Sequence, residues 1–207
     1  MIGRFTAAIL LSSMVARAVI VDRIAIVAGK KIIKDSDITN DLRLTAFLNQ
    51  QPLVFTAAAR KKAANRLLEQ GFIRDELEAG HYPTATVEEA QDTLEGLIKS
   101  RYRTPAAYKS ALAANGIAEG DLKARLLWQM TVLRFINIRF GSSVDVSDDE
   151  IRQYYDGHRQ QFASDLSAAH SKIQELLSGE RTNKAFYDWL DRQREEATIR
   201  YLEDGLK

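Results

Sequence analysis

Residues 119–140, EGDLKARLLWQMTVLRFINIRF, form the stretch that decides the fold, because it is the most apolar segment after the first 18 residues. Its leucine, isoleucine, methionine and aromatic side chains recur on nearly every side of a helix with 3.6 residues per turn. A helix that is apolar on all sides is enclosed by other elements. The segment therefore predicts a central helix with the rest of the chain packed around it.

Amphipathic helices are predicted on both sides of this central helix. Two of them begin at capping boxes, TVEE at residues 86–89 and SDDE at residues 147–150, in which a hydroxyl and a glutamate side chain satisfy the first free N–H groups. The full set of predicted helices is 38–49, 57–79, one after residue 86, one from Pro105 to Asn115, the central helix, one from about 148 to 162, and two pieces at about 166–177 and 183–197. The chain is therefore mainly helical.

Strands are predicted only near the two ends of the sequence. Residues 24–27 and 31–33 are rich in β-branched side chains, and Gly29 lies between them at a tight turn. Residues 198–202 alternate between polar and apolar and form a third short strand. The predicted fold class is mainly α: a helical bundle around a central apolar helix, with a small β-sheet from an N-terminal hairpin and a C-terminal strand.

Composition excludes several functional classes. The chain has 207 residues, 29 Lys+Arg against 28 Asp+Glu and no cysteine. A formal net charge of +1 provides no field that would attract nucleic acid. Disulfides, thiolate zinc sites and cysteine nucleophiles are excluded, and His81, His158 and His170 are too scattered to form a metal-ligand motif. We expect no metal and no cofactor. Acidic runs such as 148–150 fit a helix N-terminus better than acid–base catalysis.

The first 18 residues have the pattern of a secretory signal peptide. Arg4 precedes an apolar run, and Ala16-Arg17-Ala18 places small residues at the −3 and −1 positions of a cleavage site after Ala18. The apolar run of residues 5–15 is too short to cross a bilayer of roughly 30 Å as a helix, so no membrane span is expected in the mature chain. A buried first helix of the folded domain is the alternative.

Leu127, Trp128, Met130 and Phe135 are the candidate peptide-binding residues. Methionine and aromatic side chains form adaptable apolar surfaces that accept segments of differing sequence. The same helical spacing is also typical of core packing. Both interpretations stay open at this stage.

Several stretches resemble the SurA-type periplasmic chaperones. Residues 21–38, VDRIAIVAGKKIIKDSDI, resemble the start of the mature proteins of that family, and residues 122–129, LKARLLWQ, occur in a similar place. Residues 144–151, VDVSDDEI, resemble the entry to the helix that ends the family's N-terminal domain. KAFYDWLDRQR at 184–194 and IRYL at 199–202 resemble the C-terminal helix and strand that complete that domain.

The resemblance implies an organisation and a function. After the signal peptide at 1–18, it divides the chain into a chaperone domain at 19–162 and C-terminal helices and a strand at 163–207 that pack back on the same domain. No parvulin prolyl isomerase domain follows Phe162, and its Gly-Gly-x-Leu-Gly signature has no counterpart. The expectation is a periplasmic chaperone that binds unfolded outer-membrane proteins without catalysis. A prolyl isomerase relative with residual foldase activity and a structural adaptor of an envelope complex are the alternatives, and homodimerisation stays open.

Overall fold

The structure is a computed structural model that describes residues 22–142, 144–162 and 165–206. The predicted signal peptide and the cleavage site after Ala18 lie outside these residues. Within them, seven α-helices accompany one three-stranded antiparallel sheet. The predicted fold class, mainly α with a small sheet from both ends of the chain, is confirmed.

The elements have the following bounds. The helices are α1 (Asp35–Leu48), α2 (Ala57–Ala79), α3 (Val87–Arg101), α4 (Pro105–Asn115), α5 (Glu119–Ile136), α6 (Asp148–Gly157) and α7 (Leu166–Glu196). The strands are β1 (Ile24–Ala28), β2 (Lys31–Lys34) and β3 (Ile199–Tyr201). A π-helical turn spans Asn137–Gly141, and 3₁₀ turns span Arg159–Gln161 and Asp204–Leu206.

The sheet joins the two ends of the described chain in the order β2-β1-β3. Gly29 has a φ of +58°, whereas the φ of Lys30 is not positive. A single positive φ at the first central position, occupied by glycine, is the pattern of a type II′ hairpin turn. β1 pairs with β3 through Ile26 and Tyr201. The N–H of Leu202 extends this ladder by donating to the carbonyl of Ala25 at 2.9 Å.

The first helix begins earlier than the sequence predicted. α1 starts at Asp35 instead of residue 38, because the carboxylate of Asp37 accepts the N–H of Lys34 at 2.9 Å and so caps the preceding turn. The carboxylate of Asp22 also accepts the N–H and the hydroxyl of Ser36, at 3.1 and 2.5 Å. Acidic side chains therefore lie inside the first helical turn, where the helix dipole favours them.

The last helix is continuous, so the prediction of two pieces was wrong. α7 runs through Ser178-Gly179 without interruption, and Gly179 is not in the left-handed conformation. One glycine costs a helix about 1 kcal/mol, and packing of both halves outweighs this. The first half packs on α6, and the second half carries Phe186 and Trp189 into the main core.

Buried side chains form three clusters. The main cluster joins the sheet, α1, α2, the end of α5 and the second half of α7. A second cluster joins α1, α3, α4 and α5. In this cluster burial, followed by the carboxylate of Glu119, raises the pKa of Tyr108 to about 12. A third lies between α6 and α7. There two hydrogen bonds lower the pKa of Glu150 to about 2: the larger effect comes from the N–H of Ser147 and the next from the side chain of Arg181.

α5 is central but not enclosed on every side. It contacts α1, α3 and α7, whereas Leu133 is 61% exposed. After Ile136 the helix widens into the π-helical turn, although a helix to residue 140 was predicted. Residues five apart point about 140° apart in an α-helix, and a π turn reduces that angle. Phe140 thereby reaches Phe135, with ring centres 5.8 Å apart.

Among the described helices, none combines the length and apolar character needed to cross a membrane.

Candidate functional site

Side chains of α2 and α5 line two neighbouring surface cavities, which we call groove A and groove B. Groove A has a volume of 520 Å³ and is bounded by β2, α1, α2 and α5. Groove B has a volume of 500 Å³ and lies between α2, α5 and the loop at residues 84–85. Both are open to solvent.

Arg74, Ala124 and Trp128 separate the two grooves, because each of them lines both. The guanidinium carbon of Arg74 lies 4.6 Å from the ring centre of Trp128, within the range of a cation–π contact. Arg74 is exposed and Trp128 is half-buried. A stacked pair of side chains on α2 and α5 therefore forms part of the boundary between the grooves.

A buried carboxylate lies at the floor of groove A. Asp41 on α1 is 2% exposed and forms ion pairs with Arg66 of α2 and Arg125 of α5. The Nε of Arg66 donates to the Asp41 carboxylate at 3.1 Å. A buried charge is tolerated only with such partners, so this carboxylate holds the three helices around the groove together.

Lysine and glycine residues shape the mouth of groove A. Lys31 of β2 crosses α2 above Gly71 and forms an ion pair with Asp75. A Cβ at Gly71 would lie 2.4 Å from the Cδ of Lys31, so the absence of a side chain makes room for the lysine. The ammonium of Lys31 also lies 5.7 Å from the ring centre of Phe72.

Groove B is held open by contacts between α5 and the loop before α3. The N–H of Ala85 donates to the hydroxyl of buried Thr131 at 3.1 Å. Arg134 donates to the carbonyl of Thr84 at 2.5 Å and to the carboxylate of Glu89 at 2.7 Å. The remaining lining is largely apolar, from Leu77, Ala85, Ala124, Leu127 and Trp128.

The structure brings together two of the four predicted peptide-binding residues. Leu127 lines groove B and Trp128 lines both grooves. Met130 is half-buried against α3, where its sulfur accepts the hydroxyl of Thr93 at 3.4 Å. Phe135 is fully buried. It lies two turns beyond Trp128 on the same side of the helix, where Trp189 of α7 covers it at 5.7 Å, so its assignment to a binding surface is corrected to the core.

Sequence reasoning missed the polar half of the site. Asp41 occurs between Ile38 and Leu42 on the buried face of α1, and a charged residue within an apolar stripe was the available signal. The place of Arg74 in the grooves could not be predicted from the sequence, because exposed charged residues are common on a long amphipathic helix.

The lining of the two grooves is apolar, aromatic and charged. Within residues 22–142, 144–162 and 165–206, no cluster of three His, Cys, Asp or Glu side chains is placed to hold a metal ion. Apolar side chains, one aromatic–cation stack, ion pairs and the carboxylate of Asp121 line the two grooves.

Comparison with known proteins gives no match, either to a protein-family model or to a curated protein.

Proposed function

We propose that this protein is an exported chaperone that binds unfolded outer-membrane proteins in grooves A and B, without catalysis and without a cofactor. The observation that carries the proposal is the pair of open grooves of 520 and 500 Å³ that meet at Trp128. Each has the volume typical of a ligand pocket. Together they offer apolar contacts to several consecutive side chains of a client.

The balance of groups in the grooves suits reversible binding. Groove B contributes Leu127 and Leu77, and in groove A Lys31 is paired with Asp75, Arg125 is paired with Asp41, and Arg74 stacks on Trp128. Binding of this kind depends on apolar burial, with no single charge on the client as its anchor. A micromolar affinity, about −8 kcal/mol, would allow release without nucleotide hydrolysis.

The sequence resemblance adds support for the cellular setting. The hairpin of β1 and β2 and the strand β3 share one sheet, which is the arrangement that the SurA resemblance implies. The periplasmic location rests on residues 1–18 and predicts that the exported protein begins at Val19. Intact-mass measurement of the exported protein tests this, and retention of residues 1–18 would contradict the proposed location.

Aggregation of a diluted outer-membrane barrel protein, followed by light scattering, tests the function. The wild type should suppress aggregation at a near-stoichiometric ratio, with little loss as salt shortens the Debye length from about 10 Å at 0.1 M to 3 Å at 1 M. Leu127→Asp should require about tenfold more protein for equal protection, because a buried leucine contributes about 1.5–3 kcal/mol. Leu133→Asp is the matched control, since Leu133 lies on the same helix, is 61% exposed and lines neither groove.

Three results would contradict the proposal. Unchanged aggregation at every ratio would favour an adaptor with one fixed partner. Equal loss in Leu127→Asp and Leu133→Asp would reject the grooves as the site. Acceleration of cis/trans exchange in an X-Pro peptide, which takes tens to hundreds of seconds unassisted, would identify a foldase.

A further inference from the structure

β2 forms one edge of the sheet, and its register determines which backbone groups point outward. Ala28 and Lys31 flank the two-residue turn, and Val27 is opposite Ile32. In an antiparallel hairpin the pair next to the turn exchanges hydrogen bonds, and the following pair does not. The N–H and carbonyl of Ile32 therefore point away from β1, and within the described residues neither group has a hydrogen-bond partner.

The open edge of β2 faces groove A. Lys31, Ile32 and Ile33 all line this groove. Because successive side chains of a strand point to opposite faces of the sheet, three consecutive residues can line one cavity only if the cavity meets the strand along its backbone edge. The next outward N–H, that of Lys34, is already bonded to Asp37, so Ile32 provides the free groups.

We infer that groove A binds its client as an extended strand, which pairs with the N–H and carbonyl of Ile32 and adds to the edge of β2. The inference rests on the proposed function and specifies the client's conformation. Backbone pairing does not depend on sequence, while alternate side chains contact the groove. Such a mode suits a client made of segments with alternating apolar residues, which is the pattern of transmembrane β-strands.

The shape of the groove favours a single unfolded chain over a second folded copy. Walls from α1, α2 and α5 surround the edge of β2, and Ile32 provides only one outward pair of backbone groups. A stable dimer buries about 800 Å² of surface on each partner, and pairing with the backbone groups of Ile32 alone would supply only a small part of that area.

Charge sets a second requirement on the client. The charged side chains that line groove A are three cations, Lys31, Arg74 and Arg125, and four carboxylates, Asp37, Asp41, Asp75 and Asp121, so the lining carries a formal charge of −1. Asp121 forms no ion pair within the described residues and adds a negative charge to the lining. A neutral or basic strand is therefore preferred over an acidic one.

N-methylated peptides test the pairing directly. The probe is a fluorescein-labelled heptapeptide in which valine and tyrosine alternate with threonine and lysine. Two isomers of this peptide carry the same number of N-methyl groups. In one isomer the methyl groups replace the N–H protons along one edge of the extended peptide, and in the other isomer they replace those along the opposite edge. Fluorescence anisotropy should show a Kd at least tenfold weaker, equivalent to 1.4 kcal/mol, for one isomer, while the other stays within about twofold of the parent peptide.

The protein-side test is Ile32→Pro. Proline is tolerated on edge strands where the N–H faces outward, and it removes the donor without removing a bond to β1. The variant should bind the parent peptide about tenfold more weakly, and the difference between the two isomers should disappear. Ile32→Val keeps the N–H and is the control. Should Ile32→Pro fail to fold by circular dichroism, the isomer comparison on the wild type remains decisive.

The outcomes distinguish failure of strand addition from failure of the proposed function. Binding of the parent peptide with equal affinity for both isomers would overturn strand addition and leave the proposed function standing. No binding of the parent peptide, together with no suppression of aggregation, would overturn both. A change in oligomeric state for Ile32→Pro with unchanged peptide binding would show that the edge contacts a second copy, which also overturns the inference.

Discussion

Replacement of the buried carboxylate under groove A should produce a large loss of stability. Asp41→Asn keeps the shape of the side chain and removes the charge that Arg66 and Arg125 share. Removal of one member of a buried ion pair costs about 3–5 kcal/mol, because the remaining charge is left uncompensated. The Arg66 and Arg125 side chains are 28% and 12% exposed, so solvent offsets part of this cost and the lower end, about 3 kcal/mol, is expected.

Such a loss is large relative to the total stability of a domain, about 5–15 kcal/mol. For a chain of this size each 1 kcal/mol lowers Tm by about 2–4 °C, which gives a decrease of about 6–12 °C. Urea unfolding at pH 7, followed by circular dichroism, measures the free energy directly.

Asp188→Asn is the matched control for Asp41→Asn. Asp188 accepts from Lys184 at 2.7 Å in an exposed i,i+4 pair, which contributes about 0.3–0.5 kcal/mol. A free energy of unfolding for Asp41→Asn within about 1 kcal/mol of the wild type would refute the reasoning. It would mean that the two arginines reach water as easily as they reach the carboxylate.

Three further predictions concern single side chains. Leu206→Ala should lower the free energy of unfolding by about 2–5 kcal/mol because Leu206 is 1% exposed, whereas Leu202→Ala, at a position 58% exposed, should change it by less than about 0.5 kcal/mol; urea unfolding compares them. Glu150 has a pKa of about 2 in the folded protein against an ordinary value of 4.5, so its stabilising contribution is complete above pH 4.5 and is lost as the pH falls toward 2. Glu150→Gln should therefore lose less stability than the wild type over that range, and an equal loss would contradict the assignment. Tyr108→Phe removes a buried hydroxyl that interacts with the carboxylate of Glu119 but forms no hydrogen bond of standard geometry, so thermal unfolding should show equal or higher stability; a loss above about 1 kcal/mol would show that the hydroxyl is bonded to Glu119 in solution.

Local signals predicted the elements well, and tertiary context decided what they missed. The capping boxes placed the starts of α3 and α6 at Val87 and Asp148, since the bonds that form a cap lie within four residues. The continuity of α7 through Gly179 depends on two separate packing surfaces, which no local pattern contains. The π-helical turn before Gly141 likewise depends on the aromatic core that Phe140 enters.

The candidate site could be predicted only in part for the same reason. Trp128 and Phe135 have equivalent positions on one helical face, and α7, about 50 residues downstream, decides that the second is covered. The role of Asp41 in groove A depends on its ion pairs with Arg66 of α2 and Arg125 of α5, which form only in the folded protein. The open edge at Ile32 is a property of strand order, which a strand's own sequence does not encode.

The central position of β1 determines when this protein can finish folding. β1 pairs with β2 across a two-residue turn, but its other neighbour, β3, is made about 170 residues later. Hairpins form in microseconds, whereas closure of so long a loop carries an entropic cost that local contacts do not offset. During synthesis, the N–H and carbonyl of Val27, which point away from β2, therefore stay without their β3 partner until Arg200 has been added. A chain that ends before residue 199 can form only the two-stranded hairpin of β1 and β2. The three-stranded sheet therefore forms only in a chain that includes the C-terminal segment.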